Sequence, residues 1–270
     1  MRIGNRDFAI EGKTYVMGIL NVTPDSFSDG GCWNDKDRAL WHVEKMLEEG
    51  MDILDVGGES TRPGYTLLPE DEEIARVIPI IEELKRRFEV PISLDTYKSK
   101  VAQAGIAAGV DMVNDIWGLK YDPDMAKVIA DSGVPCCLMH NRREGSYGSF
   151  MQEVLGDLQE TLELAKRAGI SGEKILLDPG VGFAKAYEQN LEVIARLEEL
   201  KVLGYPLLLG CSRKSVIGLT LDLPVEERLE GTLVTTVMAA MKGCMFVRVH
   251  DVKENVRAIR MTEAIKQTVR

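Results

Sequence analysis

Cysteine is scarce, with five among 270 residues at positions 32, 136, 137, 211 and 244, an odd count without a Cys-x-x-Cys pair. A chain this long needs no disulfide staples, so the thiols read as reduced, mostly as small buried hydrophobes of a cytoplasmic protein. No apolar run approaches the roughly 18 residues that cross a bilayer. The opening Met1-Arg2-Ile3-Gly4-Asn5-Arg6 is not followed by the apolar stretch of a signal peptide. Positive charge is in deficit, 33 Lys and Arg against 43 Asp and Glu for a formal net charge of −10. That balance argues against nucleic acid or an anionic membrane as the main partner, while leaving room for a local basic pocket. Nucleotide fingerprints are also missing. Gly180-Val181-Gly182 carries Lys185 where a dinucleotide motif needs its third glycine, and Gly210-Cys211-Ser212-Arg213-Lys214-Ser215 lacks the second glycine of a phosphate-binding loop.

What is present is alternation. With 45% hydrophobic residues the chain can bury a sizeable core. Short apolar runs at 15–20, 52–56, 92–94, 112–113, 135–139, 175–177, 207–209 and 246–249 are bounded by Gly, Pro, Asp or Asn and predict eight buried parallel strands. The segments between them predict helices. Ala39, Leu40, Val43, Met46 and Leu47 form one apolar face stopped by Gly50. Asp122-Pro123 reads as an N-cap and first-turn proline ahead of Met125, Val128 and Ile129, and Leu191, Ile194, Leu197 and Leu200 as one further face. Pro79 predicts a break and kink within 70–88. No linker or low-complexity tract divides the chain. The expectation is α/β, one domain over 1–270, with 1–14 a hairpin-like extension closing the bottom of a (β/α)8 TIM barrel from about 15 onward. An open doubly wound sheet is the competing fold.

Polar residues stand where the apolar runs end: Asn21, Asp55 with Glu59, Asp95, Asn114 with Asp115, His140, Asp178, Ser212-Arg213-Lys214, and Arg248 with His250. In a parallel barrel all these ends share one rim, so groups far apart in sequence converge. Taken singly, several have plainer readings. Asp95 and Asp178 would serve as helix N-caps, Asn114, Asp25 and Asp29 as turn residues, Arg62 as surface charge and His250 as a satisfied strand-end imidazole. A carboxylate accepts parallel N–H bonds, an amide both donates and accepts, and an ammonium suits a carbonyl, and Asp95, Asn114, Asp178 and Lys214 supply that set. Neither His140 nor His250 shows a Ser or Cys partner for nucleophilic catalysis.

Longer strings carry a resemblance. Met17-Gly18-Ile19-Leu20-Asn21-Val22-Thr23-Pro24-Asp25-Ser26-Phe27-Ser28-Asp29-Gly30-Gly31 resembles the first signature of dihydropteroate synthases, and Asp55-Val56-Gly57-Gly58-Glu59-Ser60-Thr61-Arg62-Pro63-Gly64 the second. Asp178-Pro179-Gly180-Val181-Gly182-Phe183, Ser212-Arg213-Lys214-Ser215 and Arg248-Val249-His250-Asp251 continue the match in order. The resemblance implies a (β/α)8 barrel that condenses 6-hydroxymethyl-7,8-dihydropterin diphosphate with p-aminobenzoate to 7,8-dihydropteroate and diphosphate, a transferase step of folate synthesis. It assigns the pterin diphosphate to Thr61, Asp95, Asn114, Asp178, Lys214, Arg248, Val249 and His250, and Mg²⁺ to Asn21. It assigns p-aminobenzoate to Phe27, Thr61, Pro63, Phe183, Ser212 and Arg213, under loops at 24–31 and 61–64 that close as a lid. Asp29, Arg62, Lys214, Arg248 and His250 are the catalytic set it implies, with Asp29 stabilising a cationic intermediate on an SN1-like route. Sulfonamides, which resemble p-aminobenzoate, would compete. Ala186 departs from the threonine that many relatives carry after the lysine, so position 186 offers no hydroxyl. Leu233, Val237, Met238 and Met241 make a helix apolar on more than one side, as a buried helix or a homodimer face requires. The rivals are a barrel transferring a methyl group from a methyl-folate to a corrinoid protein, and an inactive pterin-binding protein.

Overall fold

The computed structural model describes residues 1–22, 32–59 and 67–268, apart from the side chains of 32–35. Two short strands, β1 (Arg2–Ile3) and β2 (Arg6–Asp7), pair antiparallel. Eight more follow: β3 (Tyr15–Asn21), β4 (Ile53–Gly57), β5 (Ile92–Asp95), β6 (Met112–Asp115), β7 (Cys136–Met139), β8 (Ile175–Asp178), β9 (Leu208–Leu209) and β10 (Phe246–Val249). They form one parallel sheet in the order β8-β7-β6-β5-β4-β3-β10-β9. Its two ends meet through a parallel bridge between Leu177 and Leu207, which closes the barrel and excludes the open sheet. Helices α1 (Cys32–Glu48), α2 (Glu70–Arg87), α3 (Ser99–Ala107), α4 (Met125–Ser132), α5 (Phe150–Ala168), α6 (Tyr187–Ala195), α8 (Leu229–Met241) and α9 (Val252–Gln267) connect and flank the strands, and a short α7 (Ser215–Leu221) is inserted after β9.

The strand alternation explains both the core and the site. Along a strand, every second side chain faces the same side. Val16, Leu54, Val113, Cys136 and Leu177 face outward and pack against the helices. Met17, Ile53, Met112, Cys137, Leu176 and Phe246 face inward and fill the barrel's lower half. Ile3 and Phe8 of the N-terminal hairpin join that inner cluster, with the Phe8 ring edge-on to Tyr15 at 4.9 Å, so the hairpin plugs the bottom as expected. Two residues further along the same inward face stand Asp55, Asn114, Met139, Asp178 and Arg248, one layer above the apolar plug.

Three local expectations are corrected. Helix α2 runs unbroken through Pro79. The proline and Ala75, whose carbonyl it leaves unbonded, both face solvent, so water satisfies what the ring removes. Acidic residues 70–73 and basic residues 85–87 bracket this helix with the polarity its dipole favours. Helix α4 starts at Met125, later than the Asp122-Pro123 cap predicts. Asp122 instead accepts the N–H of Asp124 at 3.0 Å and that of Ser99, the first residue of α3, at 2.7 Å, so it caps a neighbouring helix. The 191–200 face is split, with α6 ending at Ala195 and a 3₁₀ turn carrying Leu197–Leu203.

Candidate active site

Five barrel strands extend one or more residues past their sequence-predicted ends, through Asn21, Gly57, Asp95, Asn114 with Asp115, and Asp178, and all of these but Gly57 are polar. These groups are ladder residues whose orientation the pleat fixes, which is firmer support than a loop supplies. Arg248 lies across the barrel. Its Nε donates to Asp55 Oδ2 at 2.5 Å and its Nη2 to Asp95 Oδ2 at 2.7 Å, and Asn114 Nδ2 donates to Asp55 Oδ2 at 3.2 Å. Asp55 Oδ1 and Asp95 Oδ1 are buried and find no hydrogen-bond partner among the described residues. Such acceptors are costly unless a ligand supplies donors, so the two oxygens mark a donor-seeking floor. Burial pushes the Asp95 carboxyl up, against the pull of Arg248. Asp178 is likewise raised by burial and opposed by Lys214, while burial lowers Lys214 and Asp178 opposes that. Gly210 leaves this floor open, since a Cβ there would sit 3.5 Å from Asp178 Oδ2.

Above the floor, Asp178 Oδ1 accepts the Gly180 N–H at 2.7 Å, and Lys214 Nζ donates to the Val181 carbonyl. The Lys214 ammonium also stands over the Phe183 ring, 4.8 Å from its centre. Phe183 packs with Tyr97, Ile116, Met139 and Trp117 into an apolar wall at the rim. Ser212 Oγ lies 3.0 Å from His250 Nδ1 and accepts the His250 backbone N–H at 3.2 Å. His250 therefore has a serine neighbour that the sequence did not reveal, because β9 and β10 are adjacent in the sheet yet their ends are 38 residues apart in the chain. With Oγ donating to Nδ1, the tautomer carries its proton on Nε2, an N–H donor suited to an anionic oxygen. Val249 is buried in the outer core, and Arg213 at φ 56° directs its guanidinium onto Asp251 at 3.0 and 2.5 Å. Phe27, Asp29, Thr61, Arg62 and Pro63, with the two expected lid loops, lie outside the described residues.

The magnesium contact that the resemblance implies is the Asn21 amide alone among the described residues. A Cβ on Gly57 would lie 3.7 Å from both Asn21 Oδ1 and Asp95 Oδ2, so the missing side chain leaves room between these oxygens. Among the described residues no group of three or more His, Cys, Asp or Glu converges on a metal position. One neutral protein oxygen fits Mg²⁺ carried chiefly by phosphate oxygens and water.

Two clusters escaped the sequence reading. Lys98 donates to Glu59 Oε2 at 2.5 Å, Glu73 Oε2 at 2.6 Å and the Leu68 carbonyl at 2.8 Å, and the Tyr97 hydroxyl donates to Glu59 Oε1 at 2.6 Å. The three charged side chains are at most 4% exposed. Burial works to lower Lys98, but its bonds to Glu59 and Glu73 carry it above the ordinary lysine value. The second cluster joins Lys185, His140, Asp157 and Arg142. His140 Nε2 lies 2.9 Å from Asp157 Oδ2 and its Nδ1 2.7 Å from Lys185 Nζ. Burial holds the imidazole down at about 4, so it is neutral near pH 7. Lys98 and Lys185 lie on different β/α units from their side-chain partners Glu59, Glu73 and His140, and no spacing rule links them. Position 186 is the exposed N-cap of α6, where Ala186 has no side-chain oxygen and Gln189 Oε1 accepts its N–H at 2.7 Å. The missing hydroxyl is thus a helix-cap matter.

Comparison with known proteins identifies the family of this barrel. The pterin binding enzyme family model matches residues 17–250. A dihydropteroate synthase of Clostridium beijerinckii is 60% identical over 266 residues, covering 98% of this chain and 99% of that protein. A crystal structure of dihydropteroate synthase from Clostridium difficile in the presence of pteroic acid superimposes with a TM-score of 0.92 at 51% identity, covering 98% of each chain. One from Xanthomonas albilineans with 4-aminobenzoic acid gives 0.90 at 43% identity, covering 94% of this chain and 93% of that one. With its parallel barrel, its inward ring of carboxylates and its match to the pterin binding family across that barrel, the chain belongs to the dihydropteroate synthases.

Proposed function

We propose that this chain condenses 6-hydroxymethyl-7,8-dihydropterin diphosphate with p-aminobenzoate, giving 7,8-dihydropteroate and diphosphate. The observation that carries the proposal is the inward layer of Asp55, Asp95, Asn114 and Asp178 crossed by Arg248, with two carboxylate oxygens unpartnered. A flat heterocycle with adjacent N–H donors and one carbonyl suits that layer, with Asp95, Asn114 and Asp178 taking its donors and Lys214 its carbonyl. The diphosphate then projects to the rim, where Arg248 and His250 supply cationic and N–H donors.

In the reaction, the bond between the exocyclic methylene and the diphosphate oxygen breaks, and the leaving group takes the electron pair. The pterin ring spreads the resulting positive charge, and buried carboxylates beside it stabilise that charge without reorganising. The uncharged arylamine nitrogen forms the new carbon–nitrogen bond and releases one proton to solvent, so no strong base is needed. Catalysis here is positioning and electrostatics rather than a nucleophilic relay. Mg²⁺, held through Asn21, would neutralise charge on the diphosphate. Solvent-facing Val234, Val237 and Met241 of α8, with Met261 and Ile265 of α9, support a homodimer through these helices. No helix of the described residues is long and apolar enough to cross a membrane.

The test is to mix protein, Mg²⁺ and the pterin diphosphate with and without p-aminobenzoate and to follow both products. Dihydropteroate and diphosphate should appear in equal amounts only when the arylamine is present at saturating concentration. A folded protein that binds pterin but yields no arylamine-dependent product is an inactive binder. Methyl transfer from a methyl-folate to a corrinoid acceptor would replace the proposal altogether.

A further inference from the structure

Lys185 is half-buried behind the turn that follows β8, and its ammonium has three close acceptors: His140 Nδ1 at 2.7 Å, the Gly180 carbonyl at 2.9 Å and the Phe183 carbonyl at 3.0 Å. Three acceptors consume all three N–H bonds of an ammonium. His140 Nδ1 accepts only if Nε2 carries the ring proton, and Nε2 faces Asp157 Oδ2 at 2.9 Å. Arg142 in turn grips Asp157 through Nε at 2.5 Å and Nη2 at 3.2 Å. A continuous chain of bonds therefore runs from α5 through His140 to the backbone of the turn. The turn packs closely on this chain of bonds, since Gly180 has φ +70° and a Cβ there would sit 2.0 Å from the His140 carbonyl oxygen.

What this chain of bonds holds is Phe183. Asp178 has a further anchor of its own, being a ladder residue whose carbonyl accepts the His140 N–H at 2.8 Å, and only its Oδ1, which accepts the Gly180 N–H at 2.7 Å, touches the turn. Phe183 lies beyond the strand. Its N–H bonds the Gly180 carbonyl at 3.1 Å, and that carbonyl is itself a Lys185 acceptor. Its ring, at the rim beneath the Lys214 ammonium, offers an apolar face next to a cation, which suits an aromatic carboxylate.

We propose that Lys185 is a positioning residue for the arylamine substrate, acting through Phe183. The inference rests on the condensation proposed above. Lys185→Met should raise the KM for p-aminobenzoate about tenfold while leaving that for the pterin diphosphate within about threefold, the signature of lost binding at one substrate only. A merely structural role would lower the active fraction, and hence kcat, with both KM values unchanged. Hydrogen exchange at the Phe183 amide should also accelerate about tenfold in the variant, since its acceptor is no longer fixed. An unchanged arylamine KM in folded variant, or equal rises in both KM values, overturns the proposal. If the parent protein makes no dihydropteroate, the condensation fails instead. The exchange rate then decides by itself: faster exchange in Lys185→Met upholds the clamp, and an unchanged rate removes it.

Discussion

Asp178→Ala is expected to weaken pterin binding by about two to three orders of magnitude, with the fold retained. The carboxylate is buried at the end of β8, and a pterin placed there directs N–H donors at it. Charge-assisted hydrogen bonds contribute about 1.5–3 kcal/mol each, and the donors left behind have no water to turn to. Two such losses, taken in the lower part of that range, amount to roughly 3–4 kcal/mol, where each 1.4 kcal/mol is a factor of ten. Asp178→Asn should be comparably severe, because one acceptor oxygen becomes a donor facing a donor. Isothermal titration with the pterin diphosphate reads both variants, and a loss under about fivefold in either would remove Asp178 from the pocket.

Lys98→Met is expected to carry the largest stability cost. It strips from two carboxylates, Glu59 and Glu73, the cationic partner they share among the described residues, and their side chains are 4% and 2% exposed. Breaking a buried ion pair from one side costs about 3–5 kcal/mol, because the remaining charge is uncompensated. The pH dependence has a definite sign. Burial already pushes Glu73 above the ordinary carboxylate value, and removing the lysine pushes it further. A carboxyl whose folded pKa is raised favours folding when protonated, and that stability is lost as pH rises through the folded value. The deficit of Lys98→Met should therefore shrink on going from pH 8 to pH 5. Urea unfolding at the two pH values measures it. A deficit below about 1 kcal/mol, or one that grows on acidification, would show that the triad is not held as a buried charge cluster.

The sequence made the scaffold legible because both of its periods are local. The eight apolar runs fall on the eight barrel strands, and leftover residues 1–14 include the hairpin that plugs the base. Strand ends were harder to read, since Asp95, Asn114 and Asp178 look like loop residues by chemistry. Their place in the ladder is set by neighbouring strands, which local pattern does not report. Pro79 misleads for a related reason: whether a missing N–H breaks a helix depends on what its orphaned carbonyl faces. The candidate pocket residues stand out because they share one rim in any parallel barrel. Lys98 and Lys185 do not, because a buried lysine and a solvated one look alike until the acceptors around them are known. Ser212 and His250 meet only through the adjacency of β9 and β10.

The central claim is that the polar layer above the barrel's apolar plug is the pterin site. A crystal structure of this protein with the pterin diphosphate tests it most directly. The amino-pyrimidinone edge should lie within hydrogen-bond distance of Asp95, Asn114 and Asp178, with its carbonyl on Lys214 and the diphosphate beside Arg248 and His250. A pterin bound elsewhere, with Asp95 Oδ1 still without a donor, would contradict it.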